Sequence, residues 1–174
     1  MSASQALNAI AGLTAKEAVR LRLAEAADAP FLRLLFKMVR AEQFASAELA
    51  PAMLDALLEQ QFRIQTASYA TQFLDAGSFL IEHTGQPIGR LLLQDDGERW
   101  HIVDIALLST VRSQGIGTSV VTAIADEARG QGLRALTLVV LATNEAARRF
   151  YLRQGFAEVG QAGPIHIAMK MDLA

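Results

Sequence analysis

The sequence predicts an α/β fold in which helices flank a mixed central sheet. The patterned segments follow the order strand, two helices, three antiparallel strands, helix, strand, helix and two strands, which favours a sheet layered with helices. The chain has 174 residues, of which 52% are hydrophobic and 20% charged, as expected for one globular domain. We therefore predict a single domain at residues 18–174, preceded by an Ala- and Ser-rich extension at residues 1–17 that is either disordered or loosely docked.

The first strand and the first two helices have clear periodicity. Residues 19–23 alternate between apolar and charged side chains, as a half-buried strand does. Asp28 and Pro30 mark a helix start, because Asp caps free N–H groups and proline has a preset φ. Apolar residues then recur at helical spacing, and they do so again after Pro51, so each helix has one buried stripe. The two stripes comprise Phe31, Leu34, Leu35, Met38 and Val39, and Leu54, Leu57, Leu58, Phe62 and Tyr69.

Six further strands and two further helices complete the predicted fold. A turn at residues 84–87 joins the first two of these strands into a hairpin. The helices are predicted at residues 118–129 and 144–154, and glycines that follow each of them mark its end. The strands are predicted at residues 79–81, 88–94, 100–108, 136–141, 156–159 and 165–171.

Composition argues against several functional classes. The formal net charge is −2, and nucleic acids are bound by clustered positive charge, so no nucleic-acid partner is expected. The chain has no cysteine and three histidines, so disulfides and a Cys nucleophile are excluded and no metal site is expected. No apolar stretch reaches the roughly 18 residues of a membrane span, and residues 1–16 lack the order of a signal peptide. We therefore expect no membrane association and a cytoplasmic location.

A glycine-containing turn connects the strand at residues 100–108 to the helix at residues 118–129. Glycines allow the backbone to approach a ligand closely, and a helix N-terminus favours negative charge. The turn therefore suits a pyrophosphate, and the alternative is a tight strand-to-helix turn that needs glycine only for its geometry. Its sequence is Arg112-Ser113-Gln114-Gly115-Ile116-Gly117.

A second motif follows downstream, formed by Asn144, Ala147, Tyr151, Gly155 and Phe156. Together with the glycine turn, it resembles the Gcn5-related N-acetyltransferase (GNAT) superfamily over nearly the whole chain. The resemblance implies a mostly antiparallel GNAT-like sheet whose fourth and fifth strands splay apart to admit pantetheine. It also implies acetyl-CoA as co-substrate and direct acetyl transfer to a primary amine of a small molecule or a protein N-terminus.

The resemblance assigns most cofactor contacts to the backbone. The N–H groups of residues 113–118 would hold the pyrophosphate, and the strand at residues 105–107 would pair with pantetheine. Arg112 would add packing or charge, and Asn144 would bind the amides of the cofactor. Ile105, Ala106 and Leu107 also suit plain core positions. The residues expected at the cofactor are Ile105, Ala106, Leu107, Arg112, Ser113, Gln114, Gly115, Ile116, Gly117, Thr118 and Asn144.

Tyr151 and His101 are the catalytic candidates. The resemblance places the phenol of Tyr151 beside the leaving thiolate as general acid. Its position alone would favour an aromatic on the buried helix stripe, but the spacing of the motif favours the catalytic role. Relatives often carry a carboxylate where this chain has His101, Val103 or Val139, which leaves His101 as the titratable group at a site-facing position, either as the base or as a solvent-facing strand residue. Strand alternation places Asp104 on the opposite face, unless a β-bulge reverses it. A water chain could also serve as base.

Gln61 and Gln65 are the candidates for acceptor binding. They continue the apolar stripe of the second helix, and buried amides must find hydrogen-bond partners. They would either bind backbone at the sheet edge or line the acceptor pocket, which the first two helices wall in the resembling family. The partner is thus a small-molecule or peptide amine, and a homodimer stays open. The alternative function is a catalytically inactive CoA-binding regulatory module, which the valines at the usual base positions favour.

Overall fold

The computed structural model describes residues 9–15 and 18–173, which form an eight-stranded mixed sheet in the order β1-β2-β3-β4-β5-β6-β8-β7. Neighbouring strands are antiparallel except for β5 and β6. The strands are β1 (Thr14–Ala15), β2 (Val19–Leu23), β3 (Gly77–His83), β4 (Gln86–Asp95), β5 (Arg99–Leu107), β6 (Ala135–Leu141), β7 (Ala157–Gln161) and β8 (His166–Asp172). The helices are α1 (Ala29–Ala41), α2 (Pro51–Gln72), α3 (Ile116–Gly130) and α4 (Glu145–Arg153). The predicted fold class is confirmed.

The larger core lies between α3 and one face of the sheet. Val120 and Ile124 of α3 have no exposed surface and pack in one cluster with Leu91, Leu93 and Trp100 of the central strands. Burial of several such side chains, each contributing about 1.5–3 kcal/mol, dominates the stability of the domain. The α3 helix and the glycine turn before it are therefore fixed firmly against β5.

A smaller apolar layer lies on the opposite face, under α1 and α2. Leu80 and Leu92 alternate with the core residues of β3 and β4 and are buried together with Leu35 and Leu58 of the two helices. The predicted stripe of α1 is only partly covered, since Leu34 is 54% and Met38 39% exposed. With fewer buried contacts, α1 and α2 leave space over the sheet.

The segment before residue 18 contributes to the core. Ile10 is 0% exposed and Ala15 5% exposed, and both belong to the larger cluster. The short strand β1 pairs with β2 through Thr14 and Ala15. The domain boundary predicted at residue 18 thus falls after packed residues, while residues 1–8, 16 and 17 of the predicted extension lie outside the described part of the chain.

A β-bulge interrupts the pairing of β4 with β5. Leu92 lies opposite Asp104 and Leu93 lies opposite Ile102, so Val103 is the extra residue. One inserted residue reverses the alternation beyond it. Asp104 therefore lies on the same face of the sheet as His101, which simple alternation did not predict.

The strands β5 and β6 pair only along their first halves. Their register runs from Arg99 opposite Ala135 to Ile102 opposite Leu138, and both strands continue for several residues without pairing to each other. These are the predicted fourth and fifth strands, because the two-residue strand β1 precedes the first predicted one. Their predicted splay is confirmed, and it opens a gap at the carboxyl ends of both strands.

In the described part of the chain, no helix combines the length and apolar character needed to cross a membrane.

Gly89 of β4 allows the close approach of β4 and β5. An added Cβ would meet the carbonyl oxygen of Ala106 and lie 2.6 Å from Cδ2 of Leu107. We expect Gly89→Ala to destabilise the protein by about 1–3 kcal/mol, because the buried backbone must shift. Gly130→Ala is the matched control, since a Cβ there meets nothing within 4 Å, and it should be neutral or stabilising by up to about 1 kcal/mol. Urea unfolding of both variants measures the difference, and equal stability would contradict this role of Gly89.

Candidate active site

The glycine turn leads from the end of β5 into α3. Its Gly115 has a φ of 80° and its Ser113 a φ of 61°, both in the left-handed region. Gly115 is also the N-cap residue of α3, and no side chain caps the helix. This backbone path turns successive N–H groups toward one side, in the manner of an anion-binding nest.

The N–H groups of residues 113–118 have no protein acceptor within the described part of the chain. The next amide along, Ser119, donates to the carbonyl oxygen of Gly115 at 2.9 Å. Six adjacent donors at a helix N-terminus, where the helix dipole adds partial positive charge, suit an anion such as a phosphate group.

Arg112 and Gln114 use their side chains to stabilise the turn. Nε of Arg112 donates to the carbonyl oxygen of Leu107 at 3.1 Å, and Nη1 donates to Glu42 at 2.6 Å. Nε2 of Gln114 donates to the carbonyl oxygen of Thr110 at 3.0 Å. The turn is thus held in place before any ligand binds, and its backbone N–H groups stay free.

A cleft of about 460 Å³ extends from this turn between β5 and α4. We call it the cofactor cleft. The predicted cofactor residues that line it are Ile105, Leu107, Arg112, Ser113, Gly115, Gly117 and Thr118. Ile116 instead lies in the larger core with 6% exposure, and Gln114 lies on the other side of the turn.

A second cavity of about 320 Å³ lies over the gap between β5 and β6, under α1 and α2. We call it the acceptor cavity. Ala106, Asn144 and Gln65 line it, while Gln61 lines an adjoining cavity of about 340 Å³ that Gln65 also reaches. Residues shared by the acceptor cavity and the cofactor cleft are Ile105, Ala147 and Tyr151. The two spaces therefore meet at the splay.

Tyr151 lies at this junction, in the last turns of α4. It is 8% exposed, and its ring packs edge-on against Phe150 and Phe156 at centroid distances of 5.1 and 5.4 Å. Burial raises the pKa of the phenol well above its ordinary value of 10, and the negative charge of Asp104 raises it further. Tyr151 is therefore protonated at neutral pH, and the raised pKa makes its phenol a weaker acid than a free tyrosine.

Asp104 supplies a carboxylate to the acceptor cavity. It forms an ion pair with Arg90, whose Nε lies 3.2 Å from the same carboxylate oxygen that Nη2 binds. The guanidinium of Arg90 lies 5.9 Å from the ring centroid of Tyr69. Burial raises the pKa of Tyr69, and Asp104 adds to the rise, so these three side chains form one group on the cavity wall.

His101 lies on the same face of the sheet but lines neither space. Its ring stacks on Phe73 at 6.2 Å, and Nδ1 lies 2.9 Å from Oγ1 of Thr137. Burial lowers the pKa of the imidazole below 6.5, and Arg99 lowers it further, so the ring is neutral at pH 7. The catalytic role of His101 stays a prediction, and the geometry gives it no access to the junction.

Asn144 is the N-cap residue of α4. Its Oδ1 accepts a hydrogen bond from the N–H of Ala147 at 3.1 Å, so its amide NH₂ remains available for a ligand. Asn144 precedes Tyr151 by seven residues, or two helical turns, and both residues line the acceptor cavity.

Sequence analysis assigned no site role to five polar residues of the acceptor cavity, which are Arg40, Gln43, Tyr69, Arg90 and His166. Tyr69 was assigned to an apolar stripe, and Arg90 stands among apolar residues of a predicted hairpin strand. The single charged residue in that apolar strand, Arg90, was the sequence signal that could have indicated a polar site. Across residues 9–15 and 18–173, no group of three or more His, Asp or Glu side chains is placed to hold a metal ion.

Solved structures with the same fold are acetyltransferases. The PaiA N-acetyltransferase of Thermoplasma acidophilum, solved in complex with coenzyme A, has a TM-score of 0.68 at 14% identity, over 88% of this chain and 98% of that chain. An acetyltransferase of Thermus thermophilus has a TM-score of 0.66 at 21% identity, over 91% and 99%. The ribosomal-protein-S18-alanine N-acetyltransferase of Escherichia coli has a TM-score of 0.62 at 19% identity, over 90% and 94%. At these identities the likeness establishes the fold.

No curated protein sequence matches this chain. The sequence model of the acetyltransferase (GNAT) family matches residues 46–156, a span that includes the glycine turn, both splayed strands and α4. This match confirms the resemblance drawn from the two motifs. The chain belongs to the acetyltransferase (GNAT) family.

Proposed function

We propose that this protein is an acetyl-CoA-dependent N-acetyltransferase that transfers acetyl directly to a primary amine of a small molecule or a protein N-terminus. The observation that carries the proposal is the row of free N–H groups at residues 113–118, at the head of a cleft that meets a second cavity at Tyr151. A structural neighbour bound to coenzyme A supports the choice of cofactor.

The free backbone groups of this chain fit the two polar parts of CoA. The amides of residues 113–118 would bind the pyrophosphate at the start of α3. Residues 105–107 of β5 are unpaired on the side facing β6, so the pantetheine amides would add to β5 as an extra strand would. Arg153 lines the cofactor cleft without a carboxylate partner among the described residues, and it would meet the 3′-phosphate.

The proton transfers assign roles to Tyr151 and Asp104. Bound acetyl-CoA supplies an activated thioester, and the acetyl group moves from sulfur to nitrogen. The amine nitrogen loses a proton in this exchange and the thiolate gains one. Tyr151, whose phenol is protonated at neutral pH and lines both spaces, donates the second proton from the junction. Asp104 is the carboxylate that faces the acceptor cavity, and it takes the first proton directly or through water.

Thr118→Asp tests binding at the glycine turn. Thr118 lines the cofactor cleft in the first turn of α3, where an aspartate suits the helix dipole but repels a pyrophosphate. We expect the affinity for CoA to fall at least about tenfold, by calorimetry, with the melting temperature maintained.

Thr122→Asp is the matched control, because it places the same charge one turn further along α3, on an exposed position outside the cleft. Its CoA affinity should equal that of the wild type. Equal CoA affinity in both variants would remove the basis of the cofactor assignment.

Tyr151→Phe separates an enzyme from a CoA-binding module. The variant keeps the ring between Phe150 and Phe156 but removes the proton donor, so kcat should fall by about 10²–10⁴-fold. CoA affinity should change little, because the turn amides remain. Unchanged turnover would make Tyr151 a core residue only, and tight CoA binding with no acceptor in a broad amine screen would favour the regulatory module.

Asp104→Asn and His101→Asn compare the two candidate bases. Asp104 faces the acceptor cavity, whereas the ring of His101 stacks on Phe73 and forms a hydrogen bond with Thr137. We expect Asp104→Asn to lower kcat by at least about 10²-fold and His101→Asn to lower stability without lowering turnover per folded molecule. The pH profiles of kcat/KM, normalised to CoA-binding sites, measure this. The opposite pattern would assign the base to His101.

A further inference from the structure

The acceptor cavity contains more positive than negative charge. The arginines and carboxylates that line it are Arg40, Arg90 and Asp104, and His166 lines it as well. The negative charge of Asp104 is balanced by its ion pair with Arg90. The positive charge of Arg40 therefore has no balancing negative charge among the side chains that line the cavity. A cavity of this composition favours a ligand that brings a negative charge with it.

Arg40 has neutral neighbours. Its Nη1 donates to Oε1 of Gln43 at 3.1 Å, and its guanidinium lies 5.6 Å from the ring centroid of Phe36. Among the described residues no carboxylate forms an ion pair with it, and Glu42, two residues further along the chain, pairs with Arg112. Its remaining N–H groups are available on the wall of the half-enclosed cavity that it shares with Gln65.

The charges of Arg40 and Asp104 have opposite effects on the pKa of one phenol, that of Tyr69. Burial raises the pKa of Tyr69, Asp104 raises it further, and the positive charges of Arg90 and Arg40 oppose that rise. Arg40 and Asp104 therefore lie around Tyr69, within electrostatic range of its hydroxyl group. The cavity thus has a negative group near the junction with Tyr151 and a positive group toward the end of α1.

We propose that the acceptor is an amine that also carries an anionic group, a carboxylate or a phosphate, which Arg40 binds while Asp104 faces the amine. A guanidinium fork matches both anions with two parallel hydrogen bonds. The inference rests on the proposed acetyl transfer and narrows its acceptor. It makes Arg40 a specificity-determining residue, with Gln43 and Gln65 beside it as neutral hydrogen-bonding groups.

Matched acceptors test the substrate class. Amino acids are compared with their carboxamides, and phosphoethanolamine with ethanolamine, by thiol release from acetyl-CoA. We expect kcat/KM to be about 10–100-fold higher for the anionic member of at least one pair. The pair that shows the preference identifies the anion as carboxylate or phosphate.

Arg40→Gln tests the residue, and Arg33→Gln is its control. Arg33 lies on the same helix and also faces a phenylalanine ring, that of Phe62 at 5.9 Å, but it pairs with Glu59 and lines neither cavity. Arg40→Gln should remove the preference for the anionic acceptor, mainly through KM, and leave CoA affinity and the neutral acceptor unchanged. Each acceptor is compared between variants, which cancels differences in amine basicity.

Arg40→Lys should keep part of the preference, because it retains the charge and loses the fork. Equal use of anionic and neutral acceptors by the wild type would overturn the inference while leaving acetyl transfer intact. A parallel loss for both acceptors in Arg40→Gln would also overturn it, since Arg40 would then be structural. No thiol release from any acceptor, with CoA binding intact, would overturn the proposed function and this inference with it.

Discussion

The end of pairing between β5 and β6 after Ile102 and Leu138 is the constraint from which the site follows. Each strand remains paired on its other side, β5 with β4 and β6 with β8, so the sheet stays intact while two strand ends separate. Backbone N–H and C=O groups along the gap lack partners from the neighbouring strand, and such groups are costly when buried without ligand or water. The gap therefore favours an extended amide ligand, and both the cofactor cleft and the acceptor cavity open from it.

The bulge at Val103 lies at the same place along β5 and sets which side chain faces the acceptor cavity. With regular alternation, Asp104 would enter the larger core, where an unpaired carboxylate is strongly unfavourable. The inserted residue moves Asp104 to the face covered by α1 and α2, where Arg90 of β4 pairs with it. The residues after the bulge regain alternation, so Ile105 and Leu107 return to the core face and line the cofactor cleft. The bulge thus places a carboxylate on the side of β5 that faces the acceptor cavity, and apolar side chains on the side that faces the cofactor cleft.

These features differ in how far the sequence could predict them. The glycine turn, the helix at residues 144–154 and the buried Tyr151 were predictable, because each depends on local spacing that the chain carries in full. The packing of Ile10 was not, since an Ala- and Ser-rich segment gives little periodic signal. The side of Asp104 depended on a bulge that no residue type marks, although its effect on parity could be stated beforehand. Arg40 lines the acceptor cavity because α1 lies over this part of the sheet. An arginine in the last turn of a helix is usually a surface residue, so the sequence does not predict that packing.

Arg112 connects the two halves of the site. It is part of the glycine turn, yet its side chain binds the carbonyl oxygen of Leu107 at the end of β5 and the carboxylate of Glu42 after α1. Glu42 lies between Arg40 and Gln43, both on the wall of the acceptor cavity. Glu42 pairs with Arg112, and the backbone N–H groups of the turn stay without a protein acceptor among the described residues. The same short segment after α1 thus supplies the carboxylate that holds the glycine turn and, in Gln43, the neutral partner of Arg40, so among the described residues the positive charge of Arg40 has no carboxylate partner.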